Sequence, residues 1–202
     1  MSLKNIVFDL GGVLVDWNPR YLYQKIFGTS EEVDWFLENI CTHEWNAQQD
    51  AGRTMAEATE ILLESHPEYR DEITSYYDRW TEMFSGHIEG TVQILSQLKS
   101  KGDYRLLALT NWSGETFPTA RRLFDFLHWF EGIVVSGDEK LIKPDPRIYQ
   151  VLFNRYHIQP HESVFIDDTL PNVEKAGALG MHGIHFSSPG QLQLDLRDMG
   201  VL

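Results

Sequence analysis

The chain has 202 residues, 42% of them hydrophobic and 23% charged, with a formal net charge of −13. That composition excludes general disorder, and the acid excess excludes nucleic acid and anionic membrane surfaces as expected partners, since both bind through accumulated Lys and Arg. A single cysteine, Cys41, excludes an internal disulfide framework, and no stretch approaches the ~20 apolar residues of a membrane span, so a cytoplasmic protein is expected.

In chain order, residues 5–9 read as a short buried strand ending in Asp9, broken sharply by Gly11 and Gly12. Residues 16–86 form a long, tryptophan-rich stretch of helical pattern, expected as an inserted subdomain hinged at Asn18-Pro19 and Ser85-Gly86. Thr29 with Glu32 and Thr54 with Glu57 have capping-box spacing, and Trp35, Trp45 and Trp80 are expected inside this bundle. Residues 91–99 predict a helix with Val92, Leu95 and Leu98 inward and Gly102 beyond its end. Residues 105–110, 132–136 and 163–167 are compact apolar runs with polar ends, and 183–186 is a weaker run of the same kind. Helices are expected at 147–156 and at 172–179, the latter stopping at Gly180, and the last dozen residues read as a terminal helix or tail. Strands alternating with helices predict an α/β fold, a Rossmann-like parallel sheet covered on both faces, formed by residues 1–15 and 87–202. Ligands then gather at the carboxyl ends of the strands.

Four polar sites fall there. Asp9, at the end of an apolar strand and before two glycines, can present an oxygen nucleophile; the alternative is a turn residue. Thr110-Asn111 offers a hydroxyl and an amide to a phosphate oxygen, or starts a turn. Lys143, held out of helical geometry by Pro144, can neutralise phosphate and carboxylate charge, or lie solvated on the surface. Asp167-Asp168 repel each other unless a cation lies between them and a third ligand, and hard oxygens suit magnesium; the alternative makes Asp168 a helix cap.

Taken in order, Asp, then Thr, then Lys-Pro, then Asp-Asp, these sites resemble the four signature motifs of the haloacid dehalogenase-like (HAD) superfamily over nearly the whole chain. The resemblance implies a HAD-fold core with a helical-bundle cap at 16–86, and a phosphatase that forms an aspartyl-phosphate on Asp9. It implies Mg²⁺ held by Asp9, the Gly11 carbonyl and Asp168, with Asp167 acting through a metal-bound water. Thr110 and the Asn111 amide would hold phosphoryl oxygens, Lys143 would balance charge, and Asn172 would tie the metal loop together.

One position departs from the family. Most of its phosphatases carry a second Asp, the general acid and base, two residues after the nucleophile, where this chain has Gly11. A bacterial subgroup with Asp-Leu-Gly in this motif includes α-D-glucose-1-phosphate phosphatases, whose anomeric leaving oxygen needs less protonation. Small phosphorylated metabolites, with sugar phosphates foremost, are therefore the expected substrates. A C–halogen hydrolase, which needs neither the acid nor the metal, and a HAD protein that binds without turnover stay open, and Asp16 is a candidate substitute acid. In the loop where such caps set specificity, Asn46, Asp50 and Arg53 are candidates for contacts to sugar hydroxyls or a second anionic group. The eight histidines show no zinc-site spacing. Oligomeric state is not legible.

Overall fold

The computed structural model describes residues 3–202, so residues 1 and 2 of the expected core lie outside the described residues. Strand β1 (Asn5–Phe8) is buried along its whole length and occupies the middle of a five-stranded sheet. Its neighbours are β4 (Arg105–Thr110) and β6 (Ser163–Asp167), with β5 (Gly132–Val135) and β7 (His182–His185) at the edges. Every pairing is parallel. The register aligns Phe8 with Ala108 and with Ile166, so the residues just beyond them, Asp9, Thr110 and Asp167, emerge at one edge.

Side chains alternate across a strand, and the core divides accordingly. Ile6, Phe8, Leu106, Ala108, Val164 and Ile166 join one buried cluster, while Val7, Leu107, Leu109 and Phe165 join another on the opposite face. Helices α6 (Glu89–Lys101) and α11 (Pro189–Asp198) cover the first face through Leu95, Leu98, Leu192 and Leu196. Helices α9 (Pro146–Tyr156) and α10 (Leu170–Ala178) cover the second through Ile148, Leu152 and Ala176. Two short helices, α7 (Phe117–Leu123) and α8 (Ser136–Glu139), complete the core elements. Such two-sided burial is why these strands read as continuous apolar runs. Within α6, Ile94, Leu95 and Leu98 take the inward positions and Val92 is half-buried at the margin.

Between β1 and β4 the chain forms α1 (Arg20–Tyr23), α2 (Ser30–Asn39), α3 (His43–Asp50), α4 (Met55–Ser65) and α5 (Arg70–Asp78). Both expected capping boxes close, at Thr29 with Glu32 and at Thr54 with Glu57. Tyr23, Phe36, Ile73 and Tyr76 fill the bundle, and the buried Trp45 indole donates to the Ala58 carbonyl at 3.1 Å.

Two expectations need correction. Residues 16–86 are not helical throughout: β2 (Val15–Trp17) pairs antiparallel with β3 (Phe84–His87) at the base of the bundle. The expected hinges thus sit in or beside a hydrogen-bonded ribbon, with Asn18 N–H donating to the Met83 carbonyl at 2.8 Å. Strands of three and four residues are too short to register as a two-residue period. Trp35 is 48% exposed and packs against the Tyr69 ring, because Val33 and Phe36 already occupy the inward face of α2 and Trp35 lies round the helix from both.

Candidate active site

Each strand-end residue is fixed by its backbone neighbours. The Asp9 N–H donates to the Ile166 carbonyl at 2.8 Å, continuing the β1–β6 ladder, and its Oδ1 accepts from the Leu10 N–H at 2.7 Å and from Lys143 Nζ at 2.9 Å. Both contacts fall on Oδ1, which leaves Oδ2 without a hydrogen bond among the described residues. Asp167 is fully buried, with Lys143 Nζ donating to its Oδ2 at 2.7 Å and the Thr169 N–H to its Oδ1 at 2.8 Å. Asn172 Nδ2 bridges both Asp167 oxygens at 3.1 Å, the tying role expected of it. Asp168 is exposed, and its Oδ2 presses so close to Gly12 that a Cβ there would stand 2.1 Å away. Gly12 also has φ +71°, so close approach and backbone conformation both demand glycine. Asp9, Asp167 and Asp168 each place an oxygen within 4.8 Å of the others.

Lys143 is the counterweight. Its side chain is wholly buried, and its three protons go to Asp9, to Asp167 and to the Leu109 carbonyl at 3.0 Å. The Asn111 side chain grips the backbone of Lys143, accepting from its N–H at 2.8 Å and donating to its carbonyl at 3.1 Å. Thr110 is 1% exposed, and its hydroxyl has no hydrogen-bond partner among the described residues. A buried hydroxyl left unpaired costs about 1–3 kcal/mol, so its persistence at this edge points to a ligand oxygen as the missing partner.

Three carboxylates against one ammonium leave an excess of negative charge. Burial pushes Asp9 up to about 7, with Asp167 and Asp168 adding to the rise and Lys143 opposing it. Asp168, exposed as a residue but with its carboxylate packed against Gly12, also moves up, first through the desolvation of that carboxylate and then through Asp167. Burial works against the charge on Lys143, but the two carboxylates outweigh it and the net direction is up. A carboxyl raised from an ordinary 3.8 holds its proton in the folded state after the unfolded chain has lost it. Metal-free protein should therefore lose stability as pH rises from about 4 to about 7, and change little from this source above that. Thermal melts in EDTA across this range check the sign; a midpoint that climbs over the same interval contradicts it.

Beside this cluster lies a cleft open to solvent. Gly11, Asn111, Ser113 and Thr116 line its core side, and Asn46, Asp50, Tyr77 and Trp80 line it from residues 16–86, with Trp17 and Trp112 completing the wall. Of the specificity residues expected from sequence, Asn46 and Asp50 face this cleft. Arg53 is outside the cleft lining, and its guanidinium donates to Gln49 Oε1 at 2.8 Å and to the Trp45 carbonyl at 2.9 Å. The Asp16 carboxylate accepts from the Tyr21 hydroxyl at 3.0 Å, and its strand neighbour Trp17 lines the cleft. Trp80 is buried as expected but contributes to the cleft wall. Sequence reasoning passed over Trp17, Tyr77 and Trp112; no local motif marks them, because the contributing segments meet only in the folded chain.

An α/β protein with a carboxylate just past the central strand, a buried lysine and a carboxylate pair at the same edge is built as a hydrolase of the Rossmann-like type. The chain belongs to the haloacid dehalogenase-like hydrolases, whose family model matches residues 3–180. It is 28% identical to a sesquiterpene phosphatase of Aspergillus oryzae, covering 98% of this chain and 97% of that one. It is 27% identical to a phosphorylated carbohydrates phosphatase of Thermotoga maritima, covering 91% and 84% respectively. Against mouse acyl-CoA dehydrogenase family member 10 the identity is 31% over 93% of this chain, which spans only 18% of that longer protein. Among solved structures, a HAD family enzyme of Bacteroides thetaiotaomicron in a magnesium complex superposes with a TM-score of 0.72 at 22% identity, covering 93% of this chain and 95% of that one. No helix among the described residues is long and apolar enough to cross a membrane.

Proposed function

We propose that the protein is a Mg²⁺-dependent phosphomonoester hydrolase that works through an aspartyl-phosphate on Asp9, acting on a small phosphorylated metabolite. The observation that carries this is the pairing of an uncompensated carboxylate cluster with the unpartnered Thr110 hydroxyl at one sheet edge. Asp9, Asp168 and the Gly11 carbonyl would hold the ion, with Asp167 behind them; hard oxygen donors with surplus negative charge suit magnesium. When bound, the ion neutralises phosphate and carboxylate charge so that the two anions can meet. Asp9 Oδ2 attacks phosphorus, Thr110 and the Asn111 amide hold the equatorial oxygens, and Lys143 keeps Asp9 ionised and oriented. Catalysis of this kind consists of positioning and charge stabilisation. A C–halogen hydrolase fits less well, because it leaves Asp168, packed on Gly12, without a role.

Residues 16–86 act in this reading as a cap over the core of 1–15 and 87–202. Supporting contacts are the Ser136 hydroxyl donating to the Asp50 carbonyl at 2.6 Å and the Met55 N–H donating to Glu115 Oε1 at 3.0 Å. Sugar phosphates remain the leading substrates: tryptophan walls pack the C–H face of a sugar ring, and Asn46 and Asp50 can meet its hydroxyls. The similarity to a phosphorylated carbohydrates phosphatase supports this reading.

Phosphate release over a panel of phosphorylated metabolites, with Mg²⁺ and with EDTA, tests the proposal. Release is expected only with the metal, and the metal is expected to remove the loss of stability between pH 4 and 7. Release in EDTA at the same rate overturns the metal assignment, and silence across a broad panel overturns the hydrolase reading. Thr110→Val should lower kcat/KM by about 10²-fold through loss of a transition-state hydrogen bond. The same variant should leave the ligand-free protein as stable or more stable, since an unpaired buried hydroxyl is gone. Urea unfolding beside kinetics checks both halves; a large loss of stability would mean that the hydroxyl is paired.

A further inference from the structure

Hydrolysis of an ordinary phosphomonoester needs a proton for the departing alkoxide and a base for the water that follows. At Gly11, where most of the family's phosphatases carry an acid, the chain offers only a hydrogen. Asp50 is the one acidic side chain among the residues that line the cleft, and Gly11 lines the same cleft. Asp50 ends helix α3, so the negative end of the helix dipole disfavours its ionised form. The residue is half-buried, still reachable through the cleft, and among the described residues no side chain is hydrogen-bonded to its carboxylate.

Its position is held from the core. The Ser136 hydroxyl, itself fully buried, donates to the Asp50 carbonyl at 2.6 Å and accepts from the Trp112 N–H at 2.9 Å. The next glycine, Gly52, has φ +97° and packs so closely on Lys140 that a Cβ would stand 2.9 Å from its side chain. Asp50 is therefore part of a docked joint rather than a free loop tip.

We propose that Asp50 is the general acid and base of this enzyme, supplied from the cap in place of the residue missing at Gly11. The inference rests on the phosphatase reading above. As Asp9 Oδ2 bonds to phosphorus and the P–O bond to the alcohol breaks, the Asp50 proton passes to the leaving oxygen. Asp50, now ionised, takes a proton from the water that attacks the aspartyl-phosphate, which releases inorganic phosphate and restores both carboxyl groups. The groups facing Asp50 agree with this cycle. Burial raises its pKa to about 7, while Lys143 from the loop after β5 and the Ser113 backbone beyond β4 pull it down. Tyr76 and Tyr77 on α5 face it from the bundle and stay neutral, their own ionisation pushed further up by burial. A group of this pKa can be protonated for the first step and deprotonated for the second at neutral pH.

The test compares wild type with Asp50→Asn on two esters, 4-nitrophenyl phosphate, whose anion leaves unprotonated, and an alkyl phosphate that the wild type hydrolyses. With the alkyl ester, kcat should fall by about 10²-fold or more with KM little changed. With the nitrophenyl ester, Asp50→Asn should release a burst of one nitrophenolate per active site and then stall, because phosphorylation needs no acid but the following water lacks its base. With the alkyl ester, the alkaline limb of the wild-type kcat/KM profile, where Asp50 loses the proton it must donate, should disappear in the variant. A rise in KM alone, equal losses on both esters without a burst, or wild-type rates on both overturn the assignment of Asp50. Matching thermal melts exclude misfolding, and Ser136→Ala, which frees the joint while keeping the carboxylate, should give a smaller loss of kcat with the pH profile retained; retention of full kcat would count against the docked placement. Failure of the wild type itself to release phosphate from either ester would instead remove the phosphatase reading beneath it.

Discussion

Lys143→Met should cost about 3–5 kcal/mol of stability and lower kcat by about 10²–10³-fold. Among the described residues the ammonium is the sole cation paired with Asp9 and Asp167, and removal of one partner from a buried ion pair strands the other. Here two carboxylates are stranded together. Neither can turn to water: Asp167 is locked by Thr169 and Asn172, and Asp9 by Leu10. The cheapest response is protonation, and a protonated Asp9 is no nucleophile. Arginine should rescue poorly, because the enclosed site is fitted to three diverging protons, one of them bonded to the Leu109 carbonyl, and a planar guanidinium does not match that arrangement. Urea unfolding and phosphate release together measure the effect. A Lys143→Met protein with both unchanged would mean that the carboxylates are balanced by some other group.

The second large effect concerns Gly11. Its backbone is outside the left-handed region, and a Cβ built there meets nothing within 4 Å, unlike Gly12 next to it. An aspartate should therefore be tolerated at Gly11, facing the cleft that this glycine lines. In the Asp50→Asn background, Gly11→Asp should recover most of the roughly 10²–10⁴-fold lost with the acid. In the wild-type background the gain should be small, under ~10-fold, because the proton already has a source. Rate constants on an alkyl phosphate for the four proteins of this cycle decide the matter. A large gain from Gly11→Asp alone would mean that the native chain lacks any acid, and no recovery in the double variant would mean that the two positions do not serve the same proton.

The core was largely legible in the chain because strands buried on both faces are apolar without interruption, so a polar residue at the end of one stands out. Asp9, Thr110, Lys143, Asp167 and Asp168 each break such a run or its adjoining loop, and the structure gathers them at one edge. The helical bundle announced itself through two capping boxes, which are local and therefore readable. What escaped was whatever depends on meeting at a distance. The β2–β3 ribbon joins segments about 70 residues apart through strands too short to show a period. Arg53 stands next to the right loop in sequence but turns to Gln49 and Trp45, a choice made by packing within α3. Trp35 escaped for a related reason: aromatic content predicts a core, whereas the helix face decides which ring is inside.

The central claim is that Asp9 becomes phosphorylated. Wild-type protein mixed with Mg²⁺ and a hydrolysed phosphoester, quenched in acid within the first turnover and digested for mass spectrometry, should carry one phosphoryl group on the peptide containing Asp9. The label should be released by hydroxylamine, as an acyl phosphate is, and Asp9→Asn should show neither label nor phosphate release. Undiminished phosphate release by Asp9→Asn, or a label found on a different residue, would contradict the account.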